Sequence, residues 1–242
     1  MALRPWSPIP IVEAGEPLVG LPPQLWRLQP HPYVSLGAPY GAHGNPFQLR
    51  SSVVERLLQA EHALRQAQPQ CRLAIFDAWR PLAVQRFMVR HAVLQECARA
   101  GVNPDQPSPA RDRVITEVGR FWAPPSNNPA TPPPHSTGAA VDLTLADVSG
   151  MPLEMGGEID AIGPASEPEF YAEAALADPN GAEALWHGRR QRLARVMAGA
   201  GFVQHPNEWW HFSWGDQLWA WRRSEGQARY GRIGEAASSL AS

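Results

Sequence analysis

The 26 prolines of this chain crowd into two stretches, residues 5–46 and 104–134, and that distribution decides where regular structure can form. Proline fixes φ and lacks an N–H, so a stretch dense in it holds neither a long helix nor a central strand. The first stretch also carries Trp6, Leu25, Trp26 and Tyr33, which are too apolar to leave in water. Residues 1–44 are therefore expected as an arm packed on a single domain spanning 45–232. Residues 233–242 are small and polar, and are expected to fray as a tail.

Between and beyond the prolines the patterns are regular. Ser52 and Glu55 have the spacing of a capping box, and Val54, Leu57, Leu58 and Leu64 recur near every 3.6 residues, which predicts a helix over 51–67. CRLAIF at 71–76 is a short apolar run of strand length, ending at Asp77-Ala78-Trp79-Arg80-Pro81. A second helix is predicted over 82–100, with Phe87, Val89, Val93 and Leu94 on its apolar side and Gly101 as its stop. A third is expected from Ser108-Pro109 to about Phe121, and a fourth over 187–200.

Composition excludes several classes of function. With 44% apolar and 18% charged residues the chain is expected to fold as a globular protein. A net charge of −2, with the basic residues scattered, leaves no footprint for nucleic acid or for an anionic membrane, so neither is expected as a partner. Cys71 and Cys97 match no disulfide framework and no zinc-thiolate spacing, so they are expected as buried thiols. Pro5, Pro8 and Pro10 interrupt the N-terminal apolar run, which argues against a signal peptide and for the cytoplasm.

One residue breaks the pattern in an informative way. Ala139–Leu145 reads as a buried strand except for Asp142, and a carboxylate in such a run is costly unless it is paired, protonated or metal-bound. His135 lies on the loop entering this strand, with Gly138 permitting the turn between them, and His211 follows in the segment Glu208-Trp209-Trp210-His211-Phe212. Two imidazoles and one carboxylate form the ligand set of a catalytic Zn²⁺ that keeps its fourth position for water. Glu208 and His211 would fall on opposite faces of a regular strand, so Glu208 belongs on an incoming turn, as Pro206 and Asn207 suggest. There it is suited to general-base work, and Arg80 at a strand end is suited to stabilising an oxyanion. Asp77 is expected to cap a turn. His31, His43, His62, His91, His187 and His205 have no such company, and are expected as ordinary surface or core residues. Trp209 and Trp210 are expected in the core, with one of them able to wall the pocket.

Together, the Arg80-Pro81 strand end, the segment from His135-Ser136 through Gly138 to Asp142-Leu143-Thr144-Leu145, and Glu208-Trp209-Trp210-His211 resemble the D-alanyl-D-alanine dipeptidases. These belong to the superfamily of the zinc DD-carboxypeptidases and the hedgehog signalling domain. The resemblance spans roughly residues 45–222. It implies an α+β fold with a central antiparallel sheet flanked by helices, and one zinc per chain held by His135, Asp142 and His211. Glu208 is then the catalytic base and Arg80 the transition-state stabiliser. It also implies that Asp160, in Met155-Gly156-Gly157-Glu158-Ile159-Asp160, receives the free amine of a dipeptide. The chain departs from the family in having Pro133 where a serine usually stands. The expected activity is zinc-dependent hydrolysis of D-Ala-D-Ala or a similar D-configured dipeptide. The rival readings are a carboxypeptidase or endopeptidase on peptidoglycan stems, and a non-catalytic zinc-stabilised binding domain.

Overall fold

The computed structural model describes residues 4–41 and 44–234. His43 and residues 235–242, most of the expected tail, lie outside the described residues. Among the described residues, seven strands and seven helices follow one another as β1 (Leu18–Gly20), β2 (Trp26–Arg27), α1 (Pro32–Ser35), β3 (Gln48–Arg50), α2 (Ser51–Ala67), β4 (Cys71–Asp77), α3 (Leu82–Arg99), α4 (Pro109–Phe121), β5 (Ala140–Asp147), α5 (Ala172–Ala177), α6 (Ala182–Gly199), β6 (Val203–Gln204), β7 (His211–Ser213) and α7 (Gln217–Arg223). The central sheet has the order β2-β4-β5-β7-β6, antiparallel except for β2, which runs parallel to β4 at the edge. β1 and β3 form a separate antiparallel pair. The fold is α+β, as the sequence implies. No helix among the described residues is long and apolar enough to cross a membrane.

Strand alternation separates the core from the site. Leu73, Ile75, Val141, Leu143 and Leu145 join the main apolar cluster with Leu57 and Leu64 of α2 and Leu193 and Met197 of α6. Successive strand residues point to opposite faces, so Asp142 and Thr144 look away from that cluster. A register shift between Ile75 and Asp77 re-aims the end of β4, and sets Asp77 opposite Asp142. A second apolar cluster gathers Val84, Met88 and Ala92 of α3, Val118 and Phe121 of α4, and Tyr33 and Tyr40 of the arm.

Several local expectations are corrected. The Ser52–Glu55 capping box does not close the start of α2: Glu16 accepts from the Ser52 N–H at 3.0 Å and from Ser51 Oγ at 3.1 Å, so a carboxylate from the arm takes the cap. Leu94 is exposed, because α3 turns Leu82, Gln85, Met88, Val89 and Ala92 inward instead. α6 begins at Ala182, ahead of the expected start, since Ala182-Glu183-Ala184-Leu185 are good helix formers. Trp6, Leu25 and Tyr33 are buried, but Trp26 is exposed on the edge strand, with the Arg72 guanidinium 5.9 Å from its ring centroid.

Candidate active site

His135 stands on a 3₁₀ turn, Pro134–Thr137, that leads into β5 through Gly138 at φ 71°. A Cβ at Gly138 would also lie 2.5 Å from Leu18 Cδ2, so the turn needs glycine for both conformation and space. Asp142 and His211 are direct partners in the β5–β7 register, which puts their side chains on one face. The ligating atoms of His135, Asp142 and His211 all lie within 4.8 Å of one another, and the three residues are buried.

The other nitrogen of each imidazole is tied off. His135 Nδ1 donates to Ala78 O at 2.8 Å, leaving Nε2 toward the centre. His211 Nε2 lies 3.3 Å from Ser213 Oγ, whose hydroxyl donates to Asp216 at 2.8 Å, leaving Nδ1 toward the centre. Such outer partners fix the tautomer a metal ligand needs. Burial alone would raise the Asp142 carboxyl, but the His135 and His211 rings beside it hold it below its ordinary value. The donor set, its convergence and its fixed tautomers fit a zinc ion.

Glu208 lies on the turn before β7, as its spacing from His211 requires. It is buried, and its Oε1 has no hydrogen-bond partner among the described residues. Burial, and then the Asp142 carboxylate, push it well above the usual carboxylate range. Its neighbour His205 accepts from the Asn207 N–H through Nδ1 at 3.2 Å, and burial drives its pKa well below the usual value. His205 is therefore neutral, and its 3.4 Å approach to Glu208 is a contact without an ion pair.

Arg80 is locked from several sides. Nε donates to Asp77 at 2.9 Å, Nη1 to Gln85 at 3.0 Å, and Nη2 to Tyr33 Oη at 3.1 Å and Asp142 at 3.2 Å. Its guanidinium carbon lies 5.0 Å and 5.1 Å from the Tyr33 and Trp122 ring centroids. Its backbone is laced to the metal-ligand turn, since the Arg80 N–H donates to His135 O and Ser136 Oγ donates to Arg80 O. The Tyr33 hydroxyl donates to Asp160 at 2.7 Å. Asp160 is partly covered, adopts φ 67°, and is pushed up to about 7 by burial and the Asp142 carboxylate. Arg190 of α6 holds the preceding loop by donating to Met155 O at 2.7 Å and Glu167 O at 3.0 Å.

Arg80, His135, Asp142, Asp160, Glu208 and His211 thus line one cavity of about 30 Å³, with Trp210 in its wall and Trp209 in the core. Asp77, expected only to cap a turn, is the one correction among the neighbouring residues. Asp77 does more than cap a turn, because it is fully buried and receives Arg80, His31 Nε2 at 3.1 Å and Tyr40 Oη at 3.1 Å. His31 and His205 are buried core histidines, as expected, His31 hydrogen-bonded to Asp77 and His205 only in contact with Glu208. Their partners come from remote parts of the chain or from a turn, so local pattern carries no sign of them.

The chain is similar to known proteins over most of its length. A family model described as D-ala-D-ala dipeptidase matches residues 27–228, beginning within the arm. A D-alanyl-D-alanine dipeptidase of Synechocystis sp. is 42% identical over 244 residues, covering 96% of this chain and 97% of that one. The corresponding Escherichia coli protein is 37% identical over 78 residues, 32% of this chain and 36% of its own. A zinc-bound variant of the vancomycin-resistance D,D-pentapeptidase VanY aligns over 92% of this chain and 96% of its own with a TM-score of 0.44 and 13% identity. By the extent of the family match and of the Synechocystis alignment, the chain belongs to the D-Ala-D-Ala dipeptidase family of peptidases.

Proposed function

We propose that this enzyme hydrolyses D-Ala-D-Ala, or a dipeptide of the same configuration, with one zinc ion held by His135, Asp142 and His211. The observation that carries the reading is the convergence of three ligating atoms within 4.8 Å on a cavity that Glu208 and Asp160 also line. A zinc ion there supplies Lewis acidity toward a carbonyl oxygen and toward water.

The protein's own residues do the rest. Glu208 Oε1 is free to take a proton from the attacking water and return it to the leaving amine. Arg80, held rigidly by Asp77 and Gln85, offers its fixed charge to the oxygen that becomes negative as the carbonyl is attacked. Asp160 binds the substrate ammonium, with Tyr33 orienting its carboxylate.

The cavity, about 30 Å³, has room for roughly two waters, so a peptide substrate of either class requires its wall to yield. A buried, unpartnered Glu208 oxygen argues against a purely structural zinc site, which has no use for a base. The test is release of free D-alanine from D-Ala-D-Ala, compared with L-Ala-L-Ala and a D-Ala-D-Ala-terminated pentapeptide. Chelator-sensitive release from the D,D-dipeptide alone supports the proposal, and equal release from the pentapeptide would replace it with the carboxypeptidase reading.

A further inference from the structure

A free dipeptide presents two opposite charges, and a site that takes it out of water must meet both. The proposed function, on which this inference rests, gives the ammonium to Asp160 and leaves the carboxylate without a partner. Among the described residues, two arginines line the cavity. Arg80 is already committed to Asp77, Gln85, Tyr33 and Asp142.

The second is Arg4, from the N-terminal arm. Its Nη1 donates to Arg120 O at 3.1 Å, while its Nε is buried with no hydrogen-bond partner among the described residues. Its placement is built by a reciprocal turn, in which the Arg4 N–H donates to Ser7 Oγ at 3.1 Å and the Ser7 N–H to Arg4 O at 3.0 Å. Gln217 anchors that turn by donating to Ser7 O at 3.2 Å and Ile9 O at 2.6 Å. The guanidinium lies 5.7 Å from the centroid of the buried Trp6 ring, which packs against His205 at 5.5 Å and Trp221 at 5.6 Å. Arg4 also lines a neighbouring cavity of about 210 Å³, whose wall includes Pro124, Pro132, Pro133 and Pro134. Prolines have no N–H to offer an anion, and Arg4 is the one charged residue among the described lining residues there.

We infer that Arg4 is the carboxylate-binding residue of this enzyme, its guanidinium receiving the C-terminal carboxylate of the dipeptide and so setting its preference for a free C-terminus. The arm is then part of the substrate site as well as its wall.

The experiment compares D-Ala-D-Ala with D-Ala-D-alaninamide, in zinc-loaded wild type, Arg4→Met and Arg4→Lys, following D-alanine release. Charge-assisted hydrogen bonds are the strong ones, so wild type should cleave the amide with kcat/KM lower by roughly 10- to 100-fold. Arg4→Met should raise KM for the acid by a similar factor, keep kcat within about threefold, and erase the preference for acid over amide. Arg4→Lys should restore part of it. Wild type that cleaves acid and amide equally overturns the inference without any mutant. So does an Arg4→Met enzyme with the wild-type ratio, and in both cases the proposed function stands. If wild type cleaves neither substrate, the function reading itself fails and takes this inference with it.

Discussion

Asp142 and His211 face each other across the β5–β7 ladder, with Asp142 Oδ1 3.0 Å from His211 Nδ1. Two of the proposed ligands are thereby spaced by the hydrogen-bond register of a sheet, a more precise support than a loop. The third, His135, is aligned by its bond to Ala78 O just beyond β4. All three strands or strand ends must stay in register for the centre to exist.

The outer partner of His211 gives a direct handle on that rigidity. Ser213→Ala removes the hydroxyl between His211 Nε2 and Asp216 without touching a ligand. Zinc affinity, measured by competition with a chromophoric chelator, should fall by about 10- to 100-fold. An unchanged affinity would show that Ser213 does not orient the ring.

Glu208→Gln keeps the size of the side chain and removes the base. Turnover should drop by about 10²- to 10⁴-fold while zinc content stays at the wild-type level. Near-normal turnover in a zinc-replete variant would remove Glu208 from the mechanism.

Asp160 should demand a free amine. N-acetyl-D-Ala-D-Ala lacks the charge and adds bulk, so it should resist hydrolysis, and Asp160→Asn should raise KM for the free dipeptide with the zinc site intact. Efficient cleavage of the acetylated substrate would make Asp160 a turn residue only.

The same carboxyl gives a pH signature in the metal-free protein. Its folded value is pushed up to about 7, against an ordinary aspartate near ~3.9. The folded state therefore holds this proton more tightly, and the stability it contributes is full below about pH 4 and lost as the pH rises through about 7. Asp160→Asn cannot ionise, so it should melt above wild type at pH 8, and the gap should narrow at pH 6. Asparagine also suits φ 67°, which adds a gain independent of pH, so the change of the gap with pH is the informative quantity. A constant gap would contradict a raised Asp160.

The convergence of His135, Asp142 and His211 was legible in the sequence because Asp142 interrupts an apolar strand, and a buried charge without a partner is untenable. The turn position of Glu208 followed from the strand period, α2 and most of α3 from apolar periodicity, and α4 from the Ser108-Pro109 start signal. What stayed hidden was whatever the arm contributes. Tyr33, His31 and Arg4 sit among prolines with no periodicity, and their partners Asp160, Asp77 and Arg120 lie 127, 46 and 116 residues away. The cap of α2 misled for the same reason, since Glu55 stood at the local spacing while Glu16 reached in from outside it.

The most direct measurement is a zinc titration of chelator-stripped protein, with D-alanine release from D-Ala-D-Ala followed at each addition. Activity should be absent at the start, rise in proportion to added zinc and level off at about one ion per chain, as expected for a single site with three protein ligands. Full activity in the stripped protein, or the same titration curve in a variant with His135, Asp142 and His211 all replaced by alanine, would contradict the assignment of the metal centre.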